Sequence, residues 1–452
     1  MAKRERNIFN IVYPFEQIRS KLGESNQGKY IHGYLSEINA KTVVVEEKYI
    51  DKDYLIDYAK FYARSFNIDE KSTIRLHFFS EVFSNYDFQK ILIEGEIEKF
   101  ETLNKSYLGF VVMKPINDED GNFLVGRTIL KTYPSEVDPG QEYRVYNTDT
   151  YQASLFGIPL KIESLPFQTQ DKAVGACATT ACWIALHPLN VLFGTQKESP
   201  FEVTEKSVSF ASLEERNFPN STGLSLLQMK SYFNLMGLET EFINIEKIQK
   251  KFIELISEKD DIVADAVRAY TKMKLPVIAA LKLEVEKDIY DKHAVIISGY
   301  RHNNGILKEL YIHDDTIGPY SRAKPKKNFT SLNNEWLNRG YKKVLVEKLM
   351  IPVYPKIRLS FDSIYYLFLK SKRKLEIRHE KITPELFLIE LNQYKEFLSK
   401  QMFKDKMKIL CKPFPRYLWI IRGYINGKLL TDVVFDATSV FPQKPMKIFF
   451  KI

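Results

Sequence analysis

The chain has 452 residues, 44% hydrophobic and 27% charged, with only 19 Gly and 19 Pro; this excludes a disordered or collagen-like protein and gives room for about three domains at ~150 residues each. Lys and Arg number 66 against 57 Asp and Glu, a net charge of +9 spread through segments of mixed sign. The basic runs Lys370, Lys372, Arg373, Lys374 and Arg322, Lys324, Lys326, Lys327 carry no base-reading motif, so they read as solvated surface and no nucleic-acid partner is expected.

Three cysteines, Cys177, Cys182 and Cys411, do not make a disulfide framework. No apolar run approaches the ~18 residues of a membrane helix, and the basic start of the chain lacks the apolar stretch of a secretory signal. A reducing, cytoplasmic setting without membrane contact is expected.

Residues 1–150 read as a mixed α/β domain. Strands are predicted at 42–46, 74–79, 91–97 and 107–113, with a helix from 51 to about 65. A turn at 118–122, with Gly121 at the position for positive φ, leads into a strand at 126–132 that pairs back as a hairpin. This region holds no catalytic motif.

Residues 160–330 change texture. A glutamine-bearing loop runs into a helical pattern that starts at Cys177 and is expected to stop at Pro188. Helices follow at 224–236, ended by Gly237, and at 245–273, where Asp260 and Asp261 divide the pattern in two. A buried strand at 276–281 then precedes a hairpin of 293–300 and 307–313 around Asn303-Asn304-Gly305. A helical layer followed by an antiparallel sheet is the α+β arrangement. Residues 331–452 read as an α/β region with a strand at 343–346, helices at 360–370 and 384–398, and a hairpin of 417–424 and 428–435 around Asn426-Gly427.

Chemistry concentrates in the middle third. A cysteine at a helix N-terminus sits beside unsatisfied backbone N–H groups and the positive end of the dipole, which favours its anionic form and makes Cys177 the expected nucleophile. His293 opens a core strand, where an imidazole is held firmly enough to serve as general base or ion-pair partner. A carboxylate at the end of the partner strand would orient it; Asp314 and Asp315 are both available.

Gln170, the run Cys177-Ala178-Thr179-Thr180-Ala181, His293-Ala294-Val295 leading to Gly299-Tyr300, and Tyr311-Ile312-His313-Asp314 leading to Gly318 resemble the papain-like cysteine peptidases. Within that superfamily the pattern is most like the bacterial bacteriocin-processing, double-glycine peptidase branch. The resemblance implies a papain-like domain at the centre of an α+β chain with mixed α/β flanks. It also implies a triad of Cys177, His293 and Asp314, with the Gln170 amide as oxyanion donor, acting on a protein or peptide substrate. Gln168 is a second glutamine for that role, because Gln170 lies one position further back than the family's glutamine. Asp171 takes the family position, and Asp315 stands where the family has proline.

The remaining groups read as structural. Cys182 joins Ala178, Ala181 and Ala185 on a packed helix face; Cys411 is structural; His187 belongs to the end of its helix; and His313 points away from Asp314 across the strand. No zinc spacing or phosphate loop is present, so neither metal nor cofactor is expected. Besides peptide or isopeptide hydrolysis, the same triad could perform transglutaminase-type acyl transfer or deamidation, and a catalytically inactive papain-like scaffold for protein binding is the alternative outside enzymes. Oligomeric state is not legible.

Overall fold

The computed structural model describes residues 10–64, 70–118, 120–138, 142–171, 176–209, 223–303, 306–377 and 382–451. The chain is α+β, built on antiparallel sheets. A first sheet of five strands runs in chain order, Val12–Pro14, Thr42–Tyr49, Thr73–Phe79, Tyr107–Asn117 and Phe123–Leu130. Alternation of side chains decides its two cores. Val43, Val45, Leu76, Phe78, Val111 and Met113 face the helix Asn26–Glu37, while Val44, Phe110 and Val112 face the hairpin of Asp149–Leu155 and Ile158–Ser164.

The largest sheet has nine strands and takes them from both sides of residues 150 and 330. Glu136–Asp138 and Glu142–Tyr146 come from before, Ser331–Asn333 and Lys343–Val353 from after. Val277–Glu286 pairs with Ile289–Asn303 on one side and with Lys343–Val353 on the other. Together with Ile306–Asp314, Gly318–Pro325 and Ser331–Asn333 these strands close into a ring, which removes their free edges. The helices Cys177–Phe193, Leu226–Leu235 and Ile262–Thr271 pack on this sheet and share one apolar core with it. A four-stranded sheet, Ile382–Glu390, Tyr417–Ile425, Lys428–Asp436 and Met446–Phe449, completes the chain.

Three expected elements differ. The 91–97 segment is helical: Asn85–Glu94 starts at a reciprocal Ser84–Asp87 cap and stops at Gly95, with φ 64°, before the helix Ile97–Ser106. Pro188 does not end its helix, which continues to Phe193 and Gly194. A proline there forfeits one backbone hydrogen bond and costs about 3 kcal/mol, but residues 178–189 are all buried, and that apolar burial offsets the loss. The expected 384–398 helix is a strand, Ile382–Glu390, followed by the helix Leu391–Ser399. Leu386 and Leu388 join one core and Phe387 and Ile389 the other, a period of two, and Pro384 is tolerated because this strand lies at the sheet edge. The turn at 304–305 and the loop 172–175, including Gly175, lie outside the described residues.

Among the described residues no helix is long and apolar enough to cross a membrane. The basic runs are partly neutralised: Arg322 pairs with Glu37 at 2.7 Å and Lys372 pairs with Asp260.

Candidate active site

Cys177 is the first residue of its helix. The preceding Ala176 occupies the N-cap position and has no side-chain acceptor to offer, so among the described residues no side-chain cap is made at the first turn. Those N–H groups and the positive end of the helix dipole are therefore available at Cys177. The helix is fixed by the Thr179 and Thr204 hydroxyls, 2.9 Å apart, and by the Trp183 indole, which donates to Asp53 at 3.2 Å. Cys177 is half-buried, whereas Cys182 is sealed in the core, where burial pushes its thiol well above the ordinary range. Cys411, expected to be structural, is exposed at the end of the helix Lys406–Cys411.

His293 lies opposite Leu281 in the register of Val277–Glu286 with Ile289–Asn303, and Ala294, Val295, Ile296 and Ile297 behind it are buried. Its Nε2–H donates to Asp314 Oδ1 at 3.0 Å, and the Cys177 side chain is among the neighbours that raise the pKa of its ring. With Nε2 committed to the carboxylate, Nδ1 is the ring nitrogen left for the thiol. Burial alone would lower the His293 pKa. The Asp314 charge and hydrogen bond outweigh it, with help from Cys177 and Asp315, and hold the imidazole well above its usual range.

Asp314 is the most heavily bonded carboxylate of the group. Oδ1 also accepts from the Thr316 N–H at 3.1 Å and the Thr316 hydroxyl at 2.8 Å, and Oδ2 accepts from the Trp336 indole at 2.7 Å. The Trp336 ring lies edge-on to His293, with centroids 5.0 Å apart. Burial disfavours the Asp314 charge, but His293 and these donors hold its carboxyl below the ordinary range. Asp315 is equally buried and its Oδ1 lies 3.5 Å from His293 Nε2. Burial is the first cause that raises its pKa; among the described residues neither of its carboxylate oxygens has a hydrogen-bond partner. Its backbone carbonyl accepts from Gln27 at 3.4 Å, and Tyr30 packs so closely on Gly318 that a Cβ there would lie 2.1 Å from its ring. The N-terminal helix Asn26–Glu37 thus braces the acidic turn.

The two glutamines separate. Gln170 is half-buried on the wall of a 390 Å³ cavity with Gln27, Thr169 and Asp171. Gln168 is fully buried, and its Nε2 has no acceptor among the described residues. Neither is hydrogen-bonded to Cys177. Asp171 accepts from the Tyr62 hydroxyl at 2.8 Å.

No family model matches this chain, and no curated protein matches it.

His313 has the expected structural role: Nε2 bonds the Leu165 carbonyl at 3.0 Å and Nδ1 accepts from the Tyr320 N–H at 3.1 Å. His187 is not at a helix end; it is buried inside the helix against the Trp183 ring at 4.7 Å. Sequence reasoning missed Trp336, Thr316 and Gln27. Thr316, two residues past Asp314, was open to a local reading as an Asx-type turn partner, but Trp336 and Gln27 reach the site only through tertiary packing.

Proposed function

We propose that the protein is a thiol hydrolase of the papain-like kind that cleaves peptide or isopeptide bonds. The observation that supports this reading is the His293 imidazole bound to the Asp314 carboxylate at 3.0 Å, with Cys177, the first residue of its helix, among the groups that act on the ring. An imidazolium beside the sulfur is the counter-charge a thiolate requires. In the proposed cycle Cys177 Sγ attacks the substrate carbonyl and the oxyanion is met by the Cys177 N–H and a glutamine amide from Gln170 or Gln168. His293 gives its proton to the leaving amine as the C–N bond breaks. It then takes a proton from the water that hydrolyses the thioester, and the thiol is restored. Asp314 keeps the ring oriented throughout, in the positioning role a triad acid has.

The test is alkylation by an electrophilic peptide probe in a Cys411→Ser background, since Cys411 is exposed and would label on its own. The parent labels, Cys177→Ala loses nearly all labelling, and Cys182→Ala keeps it. Equal labelling of the two alanine variants would reject Cys177 as nucleophile.

A further inference from the structure

A cysteine–histidine–carboxylate group needs one acid, and Asp314 already fills that position, with donors on both oxygens. Asp315 remains unexplained. It is 2% exposed, and among the described residues neither of its carboxylate oxygens has a hydrogen-bond partner, whereas the Thr316 and Trp336 donors go to Asp314. A buried carboxylate without donors is costly unless a proton or a cation compensates it. Its Oδ1 faces His293 Nε2 at 3.5 Å, and Asp314 Oδ1 faces the same nitrogen at 3.0 Å. One ligand atom from each of the three side chains falls within 4.8 Å of the others.

We propose that His293, Asp314 and Asp315 form a binding site for a divalent transition cation, Zn²⁺ foremost, which competes with the thiol chemistry for the same imidazole. Zinc bonds of ~2.0–2.2 Å in a tetrahedral arrangement place ligand atoms about 3.3–3.6 Å apart, close to the two measured spacings. An imidazole nitrogen with two carboxylate oxygens suits zinc better than calcium or magnesium, which prefer oxygen-only sets. The ion would take the place of the Nε2 proton, so that His293 no longer carries the charge that Cys177 faces. Asp314 gives up one of its four hydrogen bonds and keeps those to Thr316 and Trp336, which then serve as outer-shell supports for the ligand.

Binding of the ion does not depend on the hydrolase reading; only its effect on thiol reactivity rests on that reading. The experiment is calorimetric titration of the full chain, in the Cys411→Ser background and a non-chelating buffer, with ZnCl₂ alone. One-site binding is expected in the parent and in Cys177→Ala, and at least a tenfold loss of affinity in Asp315→Asn and, independently, in His293→Gln. Either of the last two variants decides the matter if the other does not fold. Unchanged affinity in Asp315→Asn or His293→Gln overturns the proposal, as does loss of binding in Cys177→Ala, which would assign the ion to the sulfur. Zinc at saturation should slow probe alkylation of Cys177 at least tenfold. Zinc binding as described in a chain whose Cys177 never alkylates supports the metal site and refutes the hydrolase reading alone.

Discussion

Trp336→Phe removes one hydrogen bond while keeping a ring against His293. The indole N–H meets Asp314 Oδ2 at 2.7 Å, and Asp314 is 1% exposed, so the acceptor that loses its donor is buried. A hydrogen bond to a charged buried acceptor is worth about 1.5–3 kcal/mol, against about 0.5–1.5 kcal/mol for a neutral one. Trp419 supplies the matched control: it is fully buried and its indole donates to the neutral Leu359 carbonyl at 2.9 Å. Both substitutions lose the same volume of side chain. Urea unfolding should therefore show Trp336→Phe less stable than Trp419→Phe by about 1 kcal/mol or more, the difference between the two classes of acceptor. If that difference also weakens the hold on the imidazole, alkylation of Cys177 falls by up to about tenfold, at ~1.4 kcal/mol per decade. Equal destabilisation of the two variants, or a greater loss in Trp419→Phe, would refute the account of Trp336 as the donor that stabilises the Asp314 charge.

Ala176→Asp supplies the missing cap and a negative charge at the helix start; the expected outcome is about 1 kcal/mol of added stability in urea together with slower alkylation of Cys177, because the same N–H groups are now occupied. Gly318→Ala drives a methyl into the Tyr30 ring, a clash at 2.1 Å, and should cost about 1–3 kcal/mol by thermal unfolding, with the brace of the acidic turn displaced. His77 is completely buried, and burial pushes its pKa from 6.5 down to about 4. The unfolded chain accepts that proton first as pH falls, so the stability His77 contributes is complete above 6.5 and is lost on the way down to about 4. At about 1.36 kcal/mol per pH unit this is ~3 kcal/mol. Urea unfolding at pH 7.5 and 4.5 measures it, and the difference between those pH values should shrink by that amount in His77→Gln.

The sequence by itself carried the local decisions about this protein. A cysteine at the start of an apolar helical pattern, a histidine ahead of a run of buried strand residues, and an acid at the end of the next strand were readable because each depends on neighbours within a few positions. The hairpin at Asn426-Gly427 and the helix boundary at Asp261, which caps Ile262–Thr271 through the Ala264 N–H, were readable for the same reason. Tertiary structure decided what those signals meet. Pro188 stays helical because the core surrounds it, and Ile382–Glu390 is a strand because two separate cores claim its alternate side chains. The ring of strands closes through pairing of Val277–Glu286 with Lys343–Val353, far apart in the chain. Trp336 and Gln27 reach the acidic turn from opposite sides of the sequence, and the Asp315 carboxylate, which has no hydrogen-bond partner among the described residues, is sealed off only once that turn is buried. Burial and long-range contact are properties of the assembled chain, and no window of a few residues contains them.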